Sequence, residues 1–199
     1  MLELRIQQHF VDSADLKYQS SQVLSKPIAA AVQAMLASIT SGGKVLACGD
    51  GVSATDAQRF AAALVGRFER ERPELAALAL GSDGALLGAL SAGHGEQQAL
   101  ARQLRALGQA GDLVLVISPD GNADSILAVI EAAHERDMIV VALTGGNGGR
   151  VAHVLRETDV HVCVPHERAS RIHEVHQLAL HCICDGLDLQ LLGELESPA

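Results

Sequence analysis

Short runs of consecutive apolar residues alternate along this chain with longer segments in which apolar residues recur every three or four positions. Uninterrupted apolar runs are typical of strands that are buried on both faces of a parallel sheet. They predict five strands, at residues 45–48, 75–80, 112–117, 138–143 and 159–164. The segments between them predict helices at residues 54–68, 85–91, 95–108, 123–136, 150–155 and 168–192. Since crossovers between parallel strands are right-handed, the predicted fold class is α/β, a three-layer αβα sandwich around a five-stranded parallel sheet.

The residues before the first strand predict two extra N-terminal helices. The first helix covers about residues 2–22 and ends before Pro27, because proline suits the first turn of a helix better than its interior. The second helix starts at Pro27 and carries a regular apolar stripe as far as Ile39, after which a pair of glycines ends it. Since neither helix belongs to a βαβ unit, we expect residues 1–41 to pack outside the sandwich or against another subunit.

The composition narrows the class of protein. Of the 199 residues, 48% are hydrophobic and 2% aromatic, and the net charge is −9 with an isoelectric point near 5.4. Such a chain lacks the basic patches and stacking side chains that nucleic-acid binding requires. We see neither a signal-peptide pattern nor an apolar stretch of membrane-spanning length. The sequence predicts one cytoplasmic domain, residues 1–199, with its core and last helix at residues 44–193, that binds neither nucleic acid nor membranes.

The chain has four cysteines, Cys48, Cys163, Cys182 and Cys184, which lie in apolar runs and form no C-x-x-C pair. This usage predicts free thiols in a reducing compartment. We expect all four to be buried and to pack as small apolar side chains.

The turns after the first three strands carry the candidate ligand-binding residues. These turns, at residues 49–53, 81–84 and 118–122, lie at the carboxyl edge of the sheet, where doubly wound proteins bind ligands. A helix begins near Ser53, and a helix start attracts anions such as phosphate. The glycine spacing fits neither the P-loop nor the dinucleotide fingerprint. The candidate ligand-binding residues are Gly51, Ser53, Asp83, Ser118, Asp120 and Asn122.

A second interpretation of these polar residues needs no ligand. Serine and aspartate are favoured at helix N-caps, where the side chain accepts a hydrogen bond from a free backbone N–H. Ser53 and Ser118 are explained as well by capping as by ligand binding, and Asp83 fits a cap in the same way.

Histidines on the predicted last helix are candidate metal ligands. His173 and His176 are three residues apart, so both could face one zinc ion, and His181 follows on the same helix. The sequence HEVH is one residue short of the zincin motif, and hydrogen-bonded core or interface histidines are the alternative. Zinc is therefore the one cofactor that the sequence leaves open. His94 lies between two glycines, in a loop that could either reach the ligand turns or be solvated.

Four stretches of the chain resemble the sugar isomerase (SIS) domain family. They are GGKVLACGDGVSATDAQRFAAALVGRFERERP, LRALGQAGDLVLVIS, DMIVVALTGGNGG and RIHEVHQLALHCICD, in the family's order and across nearly the whole chain. The resemblance is to the branch that contains phosphoheptose isomerases and the DnaA initiator-associating protein. It implies a five-stranded SIS sandwich and a homotetramer whose subunits share helices and active sites.

The phosphate loop departs from the pattern of the isomerases in this branch. Their S-T-S-G-N-S is SPDGNA at residues 118–123, and the second position of the first loop is Asp50. Hydroxyl donors are thus replaced by Pro119, which lacks an N–H, and by Asp120, which only accepts hydrogen bonds when ionised. A carboxylate about 4 Å from a phosphate costs about 1–4 kcal/mol at surface-like dielectric. We therefore expect a pocket that is poorly suited to a phosphosugar.

The catalytic and metal-binding positions also differ from the pattern of the isomerases in this branch. By the resemblance, the isomerases have a basic glutamate four residues after a metal-binding histidine, and these positions are Ala63 and Arg59 here. Alanine cannot take a proton, and arginine neither releases one nor binds metal. A metal-binding glutamine corresponds to His173, and His181 alone remains of the acid/base and metal set. His181 is thus the catalytic candidate if the chain is an isomerase.

These departures favour a protein without a working isomerase site. We expect a homotetrameric regulator of replication initiation similar to the DnaA initiator-associating protein, with Leu191 and Leu192 as candidate contacts to the initiator DnaA. Packing between subunits would cover these leucines equally well. The alternative is a phosphoheptose isomerase that converts sedoheptulose 7-phosphate to D-glycero-D-manno-heptose 7-phosphate through an enediol. A third hypothesis is a sensor that binds a phosphosugar without chemistry.

Overall fold

The computed structural model describes residues 1–194 and consists of one parallel sheet between two layers of helices. The strands are β1 Val45–Gly49, β2 Ala77–Ala79, β3 Leu113–Ile117, β4 Ile139–Gly145 and β5 Val160–Val164. The helices are α1 Leu2–Thr40, α2 Ser53–Val65, α3 Gly84–His94, α4 Glu96–Leu107, α5 Asp124–Glu135, α6 Val151–Val154 and α7 Ala169–Leu192. The predicted αβα sandwich with five parallel strands is confirmed.

The order of the strands creates one crevice at the carboxyl edge. The order is β2-β1-β3-β4-β5, so the chain leaves β1 toward one side and returns in β3 on the other. The carboxyl ends of β1 and β3 flank the point where the strand order reverses, and sheets of this kind bind ligands there. Asp50 directly follows β1 and Ser118 directly follows β3, so both side chains begin at this crevice. The edge strand β2 is shorter than the predicted 75–80.

The two faces of the sheet are covered by different helices. On one face, α1, α2 and α7 pack against strand residues that include Val45, Leu115 and Val141. On the other face, α4 and α5 pack against the alternate residues, which include Leu46 and Val114. Successive side chains of a strand point to opposite faces, so covering both faces buries every position of the central strands β1 and β3. This explains the uninterrupted apolar runs in the sequence.

The N-terminal region is one helix, not the two that the sequence predicted. α1 runs from Leu2 to Thr40 with Pro27 inside it. Proline lacks a backbone N–H, so the carbonyl of Val23, four residues earlier, loses its usual helical donor. Val23 is 55% exposed, which places this loss at the surface, where it costs least. The packing of α1 against α7 and β5 outweighs the local preference of proline for a helix start.

α1 also contradicts the prediction that no stretch is long and apolar enough to span a membrane. Within residues 1–194 this one helix passes that test by length and composition, with an 18-residue window of mean hydropathy 1.4. A single such helix near the N-terminus is a weak indication, because helices of soluble proteins pass the same test. Polar contacts join α1 to α7: Ser13 Oγ donates to Glu174 at 2.6 Å, and His9 Nδ1 lies 2.6 Å from a guanidinium nitrogen of Arg171.

The cysteines differ from the prediction of four buried thiols. All are free, but Cys163 is half-buried and Cys182 is exposed, while Cys48 and Cys184 are buried. Two residues along a helix correspond to about 200° of rotation, so Cys182 and Cys184 lie on opposite sides of α7. An apolar run by itself does not show which of its members face the core.

Candidate functional site

The crevice between β1 and β3 contains a half-buried carboxyl group. The backbone N–H of Asp50 donates to the carbonyl of Ile117 at 3.1 Å, and Ser118 Oγ donates to Asp50 Oδ2 at 3.2 Å. Burial raises the pKa of Asp50, and the hydrogen bond from Ser118 opposes this shift. The charge of Asp120 raises the pKa of Asp50 further. Asp50 therefore holds a proton more readily than an exposed aspartate does.

A cavity of about 300 Å³, which we call the loop cavity, opens beside Asp50. Its polar lining comprises Asp50, Asp120, Asn122, Asn147, His166 and Glu167. The surrounding loops are held by their own side chains: Asp120 Oδ1 accepts from the backbone N–H of Asn122 at 3.0 Å, and Asn122 Oδ1 accepts from that of Arg150 at 3.1 Å. The carboxylates outnumber the histidine in this lining, so the loop cavity disfavours additional negative charge.

Two of the six predicted ligand-binding residues, Asp120 and Asn122, line the loop cavity. Ser53 and Ser118 are fully buried, and neither caps a helix, because α2 and α5 both begin without a side-chain cap. The capping interpretation is therefore wrong for the two serines. The Ser53 hydroxyl has no hydrogen-bond partner within the described part of the chain, and ligand binding by these residues stays a prediction.

Asp83, Gly51 and His94 do not line the loop cavity, nor do they line a second cavity, between α2 and α7, that is described below. The Asp83 side chain accepts from the backbone N–H of Leu86 at 3.0 Å, which confirms Asp83 as the cap of α3. Gly51 is exposed and has a φ of 49°, a left-handed conformation that favours glycine. His94 is exposed at the end of α3, and the next residue, Gly95, starts the turn into α4. Ligand contacts by Gly51 or Asp83 therefore remain untested predictions.

A second cavity, of about 230 Å³, lies between α2 and α7, and we call it the helix cavity. From α2 it is lined by Asp56, Arg59, Phe60 and Ala63, and from α7 by Gln177, Leu180, His181 and Cys184, with Phe68 beside them. Positions three or four residues apart share one face of a helix, which explains why the α2 residues all turn toward α7. The helix cavity thus places Arg59 and Ala63, the two departures from the family pattern, opposite His181.

A buried carboxylate organises the polar groups of the helix cavity. Asp56, in the first turn of α2, is 5% exposed, and Gln177 Nε2 donates to its Oδ1 at 3.4 Å. His173 Nδ1 lies 3.7 Å from Asp56 Oδ2, and Arg59 Nη1 lies 4.0 Å from Asp56 Oδ1. His173, Gln177 and His181 are spaced by four residues, so they form one polar stripe on α7 that faces α2.

His176 is separate from this polar stripe. Its Nε2 lies 2.9 Å from the carbonyl of Thr144, to which it donates, and its ring is fully buried. Burial lowers the pKa of His176 to about 4, so the ring is neutral at physiological pH. Its ring centroid is 6.3 Å from that of His173, with the planes nearly perpendicular. His176 is therefore a hydrogen-bonded core histidine, the alternative that the sequence left open, and metal binding by His173 and His176 together stays an untested prediction.

The donor set of the helix cavity does not fit a metal ion. Within residues 1–194, no group of three or more histidine, cysteine, aspartate or glutamate side chains could hold one. Asp56 and the neighbouring His173, which does not itself line the cavity, bring two donors together, whereas zinc sites in proteins use three or four. The His181 ring instead packs beside Phe68, with the ring centroids 5.5 Å apart. Arg59 adds a positive charge beside the same Asp56 carboxylate.

A buried ion pair joins α2 and α7 at one end of the helix cavity. Arg72 Nε donates to Asp188 Oδ1 at 2.7 Å, and both side chains are almost fully buried. Arg72 also donates to the carbonyls of Ala63 and Leu64 at 2.7 Å. These carbonyls belong to the last turn of α2, so Arg72 fixes the relative position of the two helices that form the cavity.

The predicted partner contacts lie in the last turn of α7. Leu191 and Leu192 are 36% and 37% exposed, whereas Leu187 in the same segment is fully buried. The apolar tail therefore packs partly against its own subunit. Contact of the exposed leucines with a partner protein stays a prediction.

An αβα sandwich with a polar cavity at the carboxyl ends of its parallel strands is typical of a protein that binds a small polar molecule. The chain belongs to the SIS domain family, whose model matches residues 8–145. The family resemblance drawn from the four sequence stretches is thus confirmed.

Similar proteins carry the name of an enzyme. A protein of Methylibium petroleiphilum named phosphoheptose isomerase is 60% identical over 98% of this chain and 97% of its own length. The structure of a phosphoheptose isomerase from Neisseria gonorrhoeae matches with a TM-score of 0.90 and 43% identity, over 94% of this chain and 99% of that one. The structure of a phosphoheptose isomerase from Francisella tularensis matches with a TM-score of 0.91 and 39% identity, over 94% of this chain and 98% of that one.

These similarities contradict the expectation of a non-catalytic regulator similar to the DnaA initiator-associating protein. The expectation that the chain is not an enzyme was wrong, and the isomerase alternative is the better supported one. The error lay in treating one missing carboxylate as the loss of all proton chemistry. Around Ala63 the helix cavity still contains the imidazole of His181 and the carboxylate of Asp56, and both groups can carry protons.

The sequence analysis missed Asp56 and Gln177 as residues of the site. Asp56 is the one acidic residue in the alanine-rich α2, and its place in the first turn was a signal that could have been read. Gln177 lies midway between His173 and His181, so a comparison of helix faces rather than of histidines would have found it.

Proposed function

We propose that this chain is an aldose–ketose isomerase that interconverts sedoheptulose 7-phosphate and D-glycero-D-manno-heptose 7-phosphate. The observation that carries the proposal is the 60% identity, over nearly the whole chain, to a protein named phosphoheptose isomerase. The helix cavity gives independent support, because an imidazole, a carboxylate and a guanidinium surround one space there.

The reaction moves one proton between adjacent carbons through an enediol, so it needs a group that exchanges protons near neutral pH. Imidazole is the side chain whose ordinary pKa suits this task. His181 lines the helix cavity, and the small side chain of Ala63 leaves space beside it. We assign the proton transfer to His181, whose ring is supported by Phe68.

A coupled assay with sedoheptulose 7-phosphate tests the proposed function. We expect turnover by the full chain, and a loss of about 10²–10⁴-fold in kcat for His181→Gln, which removes the proton-exchanging group. His153→Gln is the matched control, since His153 is exposed on α6 away from both cavities. The absence of turnover by folded wild-type protein would refute the isomerase assignment.

We further propose that the isomerase is cytoplasmic and assembles as a homotetramer through α1. The first turns of α1 expose five large apolar side chains, those of Leu2, Leu4, Ile6, Phe10 and Val11. Such a run on one helix is typical of a surface that another subunit covers. Sedimentation equilibrium of the full chain tests the assembly, and a monomer at micromolar concentration would contradict it.

A further inference from the structure

The guanidinium of Arg59 lies at the helix cavity, where it forms a loose ion pair with Asp56. It makes no hydrogen bond within residues 1–194, and its side chain is 61% exposed. Its approach to Asp56, 4.0 Å, is longer than the 2.7–2.9 Å of a hydrogen-bonded guanidinium–carboxylate pair. Arg59 therefore has N–H donors available to a molecule that enters the cavity.

No other group that lines the helix cavity offers a charged hydrogen-bond donor to such a molecule. Asp56 is buried, and Gln177 already donates to it. Phe60 and Ala63 are apolar, and the remaining wall of α7 presents the ring of His181 together with Leu180 and the thiol of Cys184. A guanidinium is planar and always charged, so it can donate two parallel hydrogen bonds to neighbouring oxygens of a ligand.

Isomerisation creates negative charge on the oxygens of the two reacting carbons in turn. When the proton leaves the carbon beside the carbonyl, the electron pair moves to the carbonyl oxygen and forms an enediolate. Enzymes stabilise such an oxygen with a preorganised donor or with a metal ion. The donor set described above does not fit a metal, and a divalent cation beside Arg59 would be repelled.

We propose that Arg59 is a catalytic residue of this isomerase, and that its guanidinium binds the two sugar oxygens on which the enediolate charge develops, so that turnover requires no metal ion. This inference rests on the proposed function. The C–H bond beside the carbonyl breaks and its proton passes to His181. The hydroxyl proton of the first carbon then passes to the former carbonyl oxygen, so the negative charge moves to the oxygen of the first carbon. His181 returns its proton to the former carbonyl carbon, which forms the new C–H bond, and the first carbon becomes the new carbonyl. Arg59 neither gains nor loses a proton.

The first experiment removes metal from the wild-type enzyme. The purified full chain is dialysed against dipicolinate, its zinc content is measured by mass spectrometry, and turnover of sedoheptulose 7-phosphate is compared before and after. We expect substoichiometric zinc and unchanged kcat. Turnover that is lost on chelation and restored by zinc would overturn the inference while leaving the proposed function intact. Absence of turnover both with and without zinc would remove the proposed function, and the assignment of Arg59 with it.

The second experiment changes the guanidinium. Arg59→Gln should lower kcat by about 10²–10³-fold with a much smaller change in KM, because the interaction forms mainly in the transition state. Arg59→Lys should recover part of this loss, since it keeps the charge but not the paired donors. Arg67→Gln is the matched control: Arg67 is 62% exposed, pairs with Glu71 and lies outside the cavity.

The variants at position 59 are expected to fold, since the side chain is exposed, and the thermal midpoint of each is measured alongside the kinetics. An Arg59→Gln enzyme with wild-type kcat would overturn the inference. A rise in KM at constant kcat would do the same, because it would show that Arg59 contributes equally to the binding of substrate and transition state.

Discussion

Helices α5 and α7 cover opposite faces of the same sheet, but they bury different kinds of residue. Every buried side chain of α5 is apolar, from Ile126 to Ala133. α7 buries a comparable apolar stripe and also Arg171, His176 and Asp188. To cover the sheet, a helix needs only apolar side chains, as α5 shows. The buried polar residues of α7 are therefore additional to what the fold requires.

Each added polar group on α7 has a specific partner elsewhere in the chain. Asp188 pairs with Arg72, and His176 donates to the carbonyl of Thr144. Burying such groups is costly unless their partners are in place. These contacts therefore fix α7 in position and orientation, which apolar packing alone does less strictly, and the stripe that carries His181 is held against α2.

The largest expected effects come from the same truncation made on each helix. Ile130 of α5 and Ile183 of α7 are both fully buried. Ile130→Ala and Ile183→Ala should each lower the free energy of unfolding by about 2–5 kcal/mol, the usual cost of removing a buried isoleucine side chain. We expect kcat to fall for Ile183→Ala alone, by up to about 100-fold, because α7 carries a wall of the helix cavity and α5 does not. Urea unfolding and steady-state kinetics measure the two effects.

Ile→Val at each position is the control for this pair. It removes one methyl group, costs about 0.5–1.5 kcal/mol and should leave kcat unchanged on both helices. Equal losses of kcat for Ile130→Ala and Ile183→Ala would show that the two faces do not differ in function.

α5 could be predicted closely from the sequence, because its pattern and its role coincide. The prediction of 123–136 compares with an observed Asp124–Glu135. The extent of α7 was predicted equally well, at 168–192 against Ala169–Leu192. The role of each polar residue on α7 was not predictable, because His176 finds its partner 32 residues away in sequence.

The N-terminal helix and the first turn show the same limit. Local preference places a break at Pro27, and only packing against α7 shows that the helix continues. Likewise, a serine at the start of a helix predicts a cap, yet Ser53 lies one position past the N-cap residue, Val52, with its side chain buried. The carboxyl-edge turns, in contrast, follow from topology alone, and the loop cavity is found there.

The buried histidine of α7 should make stability depend on pH. The folded-state pKa of His176 is about 4, below its ordinary value of 6.5, so between these values the unfolded chain binds a proton that the folded chain does not. The stability that this group contributes is complete above pH 6.5 and is lost as the pH falls to about 4. The loss is on the order of 3 kcal/mol.

His176→Gln tests this dependence, because glutamine can still donate to Thr144 but does not titrate. Across that pH window, the free energy of unfolding should fall less steeply for the variant than for the wild type. The chain contains no tryptophan, so urea unfolding is followed by far-ultraviolet circular dichroism at one protein concentration. His153→Gln, at an exposed site, should keep the wild-type slope, and equal slopes for all three proteins would contradict the assignment.

The smallest expected effect concerns the loop cavity, which lies outside the α2–α7 contact. Asp50→Asn keeps an oxygen that can accept from Ser118 and removes a charge from the acidic lining. If the substrate phosphate lies near this cavity, removing about 1 kcal/mol of repulsion should lower KM roughly fivefold and leave kcat unchanged. Asp83→Asn is the control, since asparagine caps a helix as well as aspartate and Asp83 lies outside the cavity. The gain should shrink as salt is added, because ions screen the repulsion, whereas a KM that rises at every salt concentration would mean that Asp50 binds the sugar itself.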